Sequence, residues 1–173
     1  MTEAIANPDD EEAEPATVTW LADYVYGTIS TLIAVAGLTF ETHPEALKTA
    51  GVVVVGAVAI WLAHALSRVV TERAWRHLRL TRADIGSELR GSWSILTAAI
   101  PATFVFLLAG LGVWTVTHAF VITDAVGVAS LAVVGIGTAG GSDRPLGRRI
   151  LYVCGLVAVG MTIVGLESLV HLL

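Results

Sequence analysis

The sequence predicts an all-α integral membrane bundle of five transmembrane helices, and three observations carry that prediction. Hydrophobic residues fill 55% of the 173 positions and charged residues only 14%, against about a quarter charged in a soluble domain; the mean hydropathy is +0.75. The apolar residues gather into stretches near 18–39, 48–70, 93–116, 118–140 and 149–172, each near the roughly 20 residues that cross a bilayer as a helix. These runs are unbroken rather than alternating, which excludes the strands of a membrane barrel.

Residues 1–16 carry Glu3, Asp9, Asp10, Glu11, Glu12 and Glu14, and so read as a disordered acidic tail ahead of a single membrane domain, 17–173. The tail lacks the basic start and short apolar region of a cleavable signal, so the first span is expected to remain as an anchor. Asp23, Tyr24 and Tyr26 open that span and read as interfacial residues, the tyrosines forming part of an aromatic belt.

The second span holds His64, Arg68 and Glu72 at intervals of four residues, with Ser67 and Thr71 beside them. That spacing makes one helical stripe descending to the end of the span. An ionisable side chain in a span costs roughly 2.5–3.5 kcal/mol on insertion scales, so each needs a reason. For Arg68 and Glu72 the alternatives are pairing at the interface or membership of a pathway. For the deeper His64 the expectation is a neutral imidazole bonded to a neighbouring helix.

The gap 72–92 is the one sizeable aqueous segment. Trp75, Leu78, Ile85 and Leu89 recur among arginines at near-helical spacing, which predicts an extension of the second helix and then an amphipathic stretch on the inner membrane surface. Arg76, Arg79 and Arg82 are candidates for anionic lipid headgroups, or they only set topology.

The last two spans are rich in glycine, at 127, 135, 137, 155, 160 and 165, as close-packed membrane helices are. The fourth carries Asp124, expected about 9 Å below a start at His118. A turn at Ser142–Pro145 precedes the fifth, where Cys154 reads as a small packed hydrophobe and Glu167 and His171 lie one turn apart. Asp124, Glu167, His171 and His118, with Glu41, His43 and Glu45, are expected on the outer side. Carboxylate and imidazole suit Fe²⁺, Mn²⁺ or Zn²⁺ and also carry protons; the plain alternative is that these residues merely reach interfacial water.

Nine of the ten basic residues fall in two gaps, Arg68 to Arg90 and Arg144 to Arg149. The positive-inside rule then predicts a cytoplasmic N-terminus and an outer C-terminus, in the plasma membrane. No phosphate-cradling loop, nucleophile elbow, paired-cysteine site or His-Glu-x-x-His is present, so an enzyme is not expected, nor a resident cofactor. The arginine-rich gap is explained by topology, so no nucleic-acid partner is expected. The lipid bilayer is the expected partner.

Three segments resemble the vacuolar iron transporter family. Asp23-Tyr-Val-Tyr-Gly27-Thr-Ile-Ser30-Thr-Leu32 is similar to its first-helix motif, an Asp and a Gly preceding an Asn-Asp-Gly-Leu group. His64-Ala-Leu-Ser67-Arg68-Val-Val-Thr71-Glu72 is similar to its second-helix Ala-Leu-Ser-Met-x-x-Gly-Glu, and Arg144-Pro-Leu-Gly-Arg-Arg-Ile-Leu to its fourth loop and final span. The resemblance implies five helices, a homodimer, a divalent metal ion as substrate, Glu72 as an inner metal ligand or proton acceptor, and Asp124 with Glu167 as an outer relay. The chain departs from the family where Ser30 replaces the Asp and Arg68 the Met of the ion path, and the cytoplasmic metal-binding helices between spans two and three are missing. Two functional expectations follow. One is a diverged divalent-cation/proton transporter, or a derivative that no longer transports. The other is a structural or regulatory protein that binds anionic lipid or a partner through 72–92.

Overall fold

A computed structural model describes residues 16–76, 82–139 and 146–170, and among these it is built from helices alone. They are α1 (Ala16–Leu38), α2 (Ala46–Arg76), α3 (Arg82–Gly91), α4 (Trp93–Gly110), α5 (Val116–Ala139) and α6 (Leu146–Val170). Four of them, α1, α2, α4 and α5, are long and apolar enough to cross a membrane, and α6 adds the shorter apolar stretch Val153–Leu166. The protein is therefore the all-α membrane bundle that the sequence predicts, with α3 as an added short helix. Residues 1–15 of the acidic tail lie outside the described residues, which open with α1 at Ala16.

The central element is α4, which touches α1, α2, α3 and α5, while α6 packs on α5 and α1. Its alanines allow this. Ala98, Ala99, Ala102 and Ala109 are all buried, with Phe106 at 0% exposure stacked edge-on against Phe120 of α5 at 5.0 Å. On α2, Ala46, Ala50, Val53 and Ala57 supply the matching stripe at steps of four, three and four residues, and Val35 of α1 closes this core. With lipid outside as apolar as the core, such contact is held by close packing rather than by exclusion of water.

Gly27 shows how close the packing is. A methyl group there would stand 2.8 Å from the Ile95 carbonyl oxygen and 2.9 Å from the Ile95 Cα, so only glycine lets α1 meet the α4 backbone at this level. The glycines of the last two spans divide. Gly127, Gly135 and Gly160 face neighbouring helices within contact distance, whereas Gly137, Gly155 and Gly165 face open space. Cys154 is likewise exposed, contrary to its reading as a packed hydrophobe, because α6 is peripheral and turns that side away from the bundle.

The third expected span, 93–116, ends early. Gly112 takes φ +82°, with its N–H donating to the Ala109 carbonyl and that of Val113 to the Leu108 carbonyl. This is the glycine-closed helix end of a Schellman motif. Thr115 then starts α5, its hydroxyl accepting the His118 N–H at 3.3 Å and meeting His118 Nδ1 at 2.8 Å. The residues between are apolar, so hydropathy runs straight through a break that capping chemistry sets.

Hydroxyls within the spans are accommodated locally. Thr28, Thr31, Thr103, Ser130 and Thr162 each donate to the carbonyl four residues earlier, a bond that needs no partner from another helix.

Candidate functional site

The densest polar group joins three helices near the arginine-rich end of α2. Asp23 of α1 is 4% exposed, not interfacial as the sequence suggests, because its side chain turns inward against α2. His64 Nε2 lies 3.1 Å from Asp23 Oδ1, and Arg68 Nη1 lies 3.7 Å from Asp23 Oδ2. Arg68 Nε is in turn 3.1 Å from Glu88 Oε2 of α3. One guanidinium thus stands between two carboxylates, and one imidazole beside the more buried of them.

Burial grades across the group. The Asp23 side chain is 6% exposed, Glu88 21%, His64 24% and Arg68 38%, so the α1 carboxylate is dry and the guanidinium partly wet. The Asp23–His64 approach is close but its geometry is not that of a hydrogen bond, and Asp23 Oδ2 and His64 Nε2 are both buried without one. Buried polar atoms of this kind are rare and costly. The Tyr26 ring covers the imidazole at 5.2 Å, tilted by 36°, and an aromatic face favours a cation beside it.

Charge counting says what the group can take. Asp23 and Glu88 contribute two negative charges and Arg68 one positive, leaving one net negative charge beside the His64 imidazole. A divalent ion would instead leave an excess of positive charge beside a fixed guanidinium, in surroundings where like charges repel strongly.

Supporting contacts hold α3 in place. Trp61 Nε1 donates to the Leu89 carbonyl at 3.0 Å, and Trp61 meets Trp93 edge-on at 6.1 Å. Trp20 stacks on Tyr24 at 5.4 Å, and Trp20, Tyr26 and Trp93 are exposed. Exposed aromatic rings of this kind suit a membrane interface, where tryptophan and tyrosine gather.

The stripe seen in the sequence therefore assembles in part. His64 and Arg68 converge on Asp23, and His64 lies against α1 without the expected hydrogen bond. Ser30 lies two turns beyond Asp23, about 10 Å along α1, half-buried and in no hydrogen bond or ion pair among the described residues. Glu72, Arg76 and Arg82 are on α2 and α3, but their side chains lie outside the described part, and Arg79 is outside it altogether. Glu88 completes the group without any sequence signal beyond being one of three acids, with Glu72 and Asp84, in the basic segment 72–92.

At the opposite end the predicted outer residues are described only in part. Among the described residues no group of three or more His, Cys, Asp or Glu can hold a metal ion. Glu41 pairs with Lys48 instead, and His118 bonds the Thr115 hydroxyl. His43 and Glu45 are exposed. Glu167 is on α6 with its side chain outside the described part, and His171 is outside it. Asp124 stands two turns into α5, which begins at Val116, about 12 Å below that start against the expected 9 Å, and it lines a cavity of about 620 Å³ with residues of α5, α6 and the α1–α2 turn.

Comparison with protein-family models, with curated proteins and with solved structures finds no match to this chain.

Proposed function

We propose that this protein is a small membrane bundle of the iron-transporter type whose inner polar group takes up and releases a proton and does not pass a divalent metal ion. The observation that carries this reading is Arg68 between Asp23 and Glu88, at 3.7 and 3.1 Å. A permanent cation sits where a transported cation would need carboxylates to itself. The charge left over, and His64 at 3.1 Å from Asp23, match one proton. Glu72, one turn beyond Arg68, is a further proton acceptor at the same end. The arginine-rich end faces the cytoplasm in this reading.

The test is paired. Proteoliposomes under a pH gradient should take up neither Fe²⁺ nor Mn²⁺, and acid titration of the purified protein should bind one proton fewer in His64→Gln. Metal uptake by the natural protein that Asp23→Asn abolishes would overturn the proposal.

A second reading rests on α3. The Trp61–Leu89 bond and the Arg68–Glu88 pair fasten this polar helix against the bundle, which supports the arginines of 72–92 as a surface for anionic lipid. Reversing the charge of Arg76, Arg79 and Arg82 would then abolish vesicle binding while Asp23→Asn leaves it intact.

A further inference from the structure

The cavity at the other end of the bundle has the form of a ligand site rather than a packing gap. Its volume of about 620 Å³ falls within the roughly 300–1,000 Å³ of small-molecule pockets. Thr39 and Thr117 line it where α1 ends and α5 begins, and Val128 lies eleven residues along α5 from Thr117, which makes it about 16 Å long. Phe120, Met161 and Val164 form apolar wall between α5 and α6. Asp124 is the one ionisable residue among the described lining residues, placed along α5 between Thr117 and Val128.

We propose that this cavity binds an amphipathic monovalent organic cation, its apolar body against Phe120, Met161 and Val164 and its charge at Asp124. Met161 suits such a ligand, since an unbranched thioether adapts to irregular apolar shapes. A lipid acyl chain would fill the same length but would set methylenes against a carboxylate, where a cation is favoured on charge. A hydrated metal ion would gain little from walls this apolar. The site lies at the end of the bundle away from Asp23 and Arg68, and its binding is independent of whether the inner group takes a proton.

The probe is tetraphenylphosphonium, with tetraphenylborate as a counterpart of the same shape and opposite charge. Equilibrium binding to purified protein in nanodiscs should be saturable for the cation only. It should weaken roughly tenfold or more in Asp124→Asn, survive in Asp124→Glu, and weaken in Met161→Trp, which adds bulk to the apolar wall. Met161→Trp leaves Asp124 in place, so folding and charge are tested separately. Equal binding of the borate, or cation binding unchanged in Asp124→Asn, would overturn the proposal and assign the cavity to an acyl chain. Absent cation binding together with a dimer that Met161→Trp dissociates would overturn it in favour of a second copy of the chain.

Discussion

Arg68 and Asp23 meet across α1 and α2 with Nη1 and Oδ2 3.7 Å apart, and the same guanidinium reaches Glu88 of α3 at 3.1 Å. A single side chain therefore ties three helices at one end of the bundle. The two carboxylates are not equivalent, since Asp23 is the more buried and has an imidazole as its other neighbour.

That asymmetry sets the cost of breaking the group. Removing one partner of a buried pair costs roughly 3–5 kcal/mol, reduced here because Arg68 is partly exposed. Arg68→Met should destabilise the protein by about 2 kcal/mol, leaving Asp23 dry with only His64 beside it. Asp23→Asn should cost less, about 1 kcal/mol, because Arg68 keeps Glu88. Unfolding of the singles and the double variant in micelles gives the coupling, which should be positive and about 1 kcal/mol.

Gly27→Ala should be among the more damaging alanine substitutions. The added methyl meets the Ile95 backbone at 2.8–2.9 Å, and backbone cannot rotate away, so about 1–3 kcal/mol should be lost. Gly165→Ala, with nothing within 4 Å, serves as the control and should show no loss in the same thermal melt.

Gly112→Ala tests the end of α4. The φ of +82° is one that alanine adopts only with strain, at about 1 kcal/mol. Hydrogen exchange should show faster opening of residues 108–113 with α1 and α2 unchanged.

Trp61→Phe removes the indole N–H that reaches Leu89 while keeping an aromatic ring against Trp93. The bond is worth about 1 kcal/mol, and its loss should appear as faster amide exchange confined to α3. An effect spread over the whole bundle would show instead that Trp61 acts through packing.

Orientation is tested with reporters. Fusions at 77–81, inside the arginine-rich gap 72–92, should be active only as cytoplasmic reporters, and fusions after Leu173 only as external ones, if the positive-inside rule governs insertion.

The sequence by itself determined the class of fold and the position of most helices, because twenty consecutive apolar residues have few other stable forms in a bilayer. It also determined that His64 and Arg68 share a face, since a spacing of four is a property of one helix. It could not locate the end of α4, where Gly112 and Thr115 act through backbone dihedral and capping within an apolar run. Only the tertiary structure decided that Asp23 and Glu88 are the partners of that face, that Ser30 stands apart from it, and that Asp124 lines a cavity. Those facts depend on how far one helix is rotated and shifted against another, and alanine and glycine contacts in α1, α2 and α4 set that shift. Hydropathy is read along the chain, whereas charge pairing is read across it.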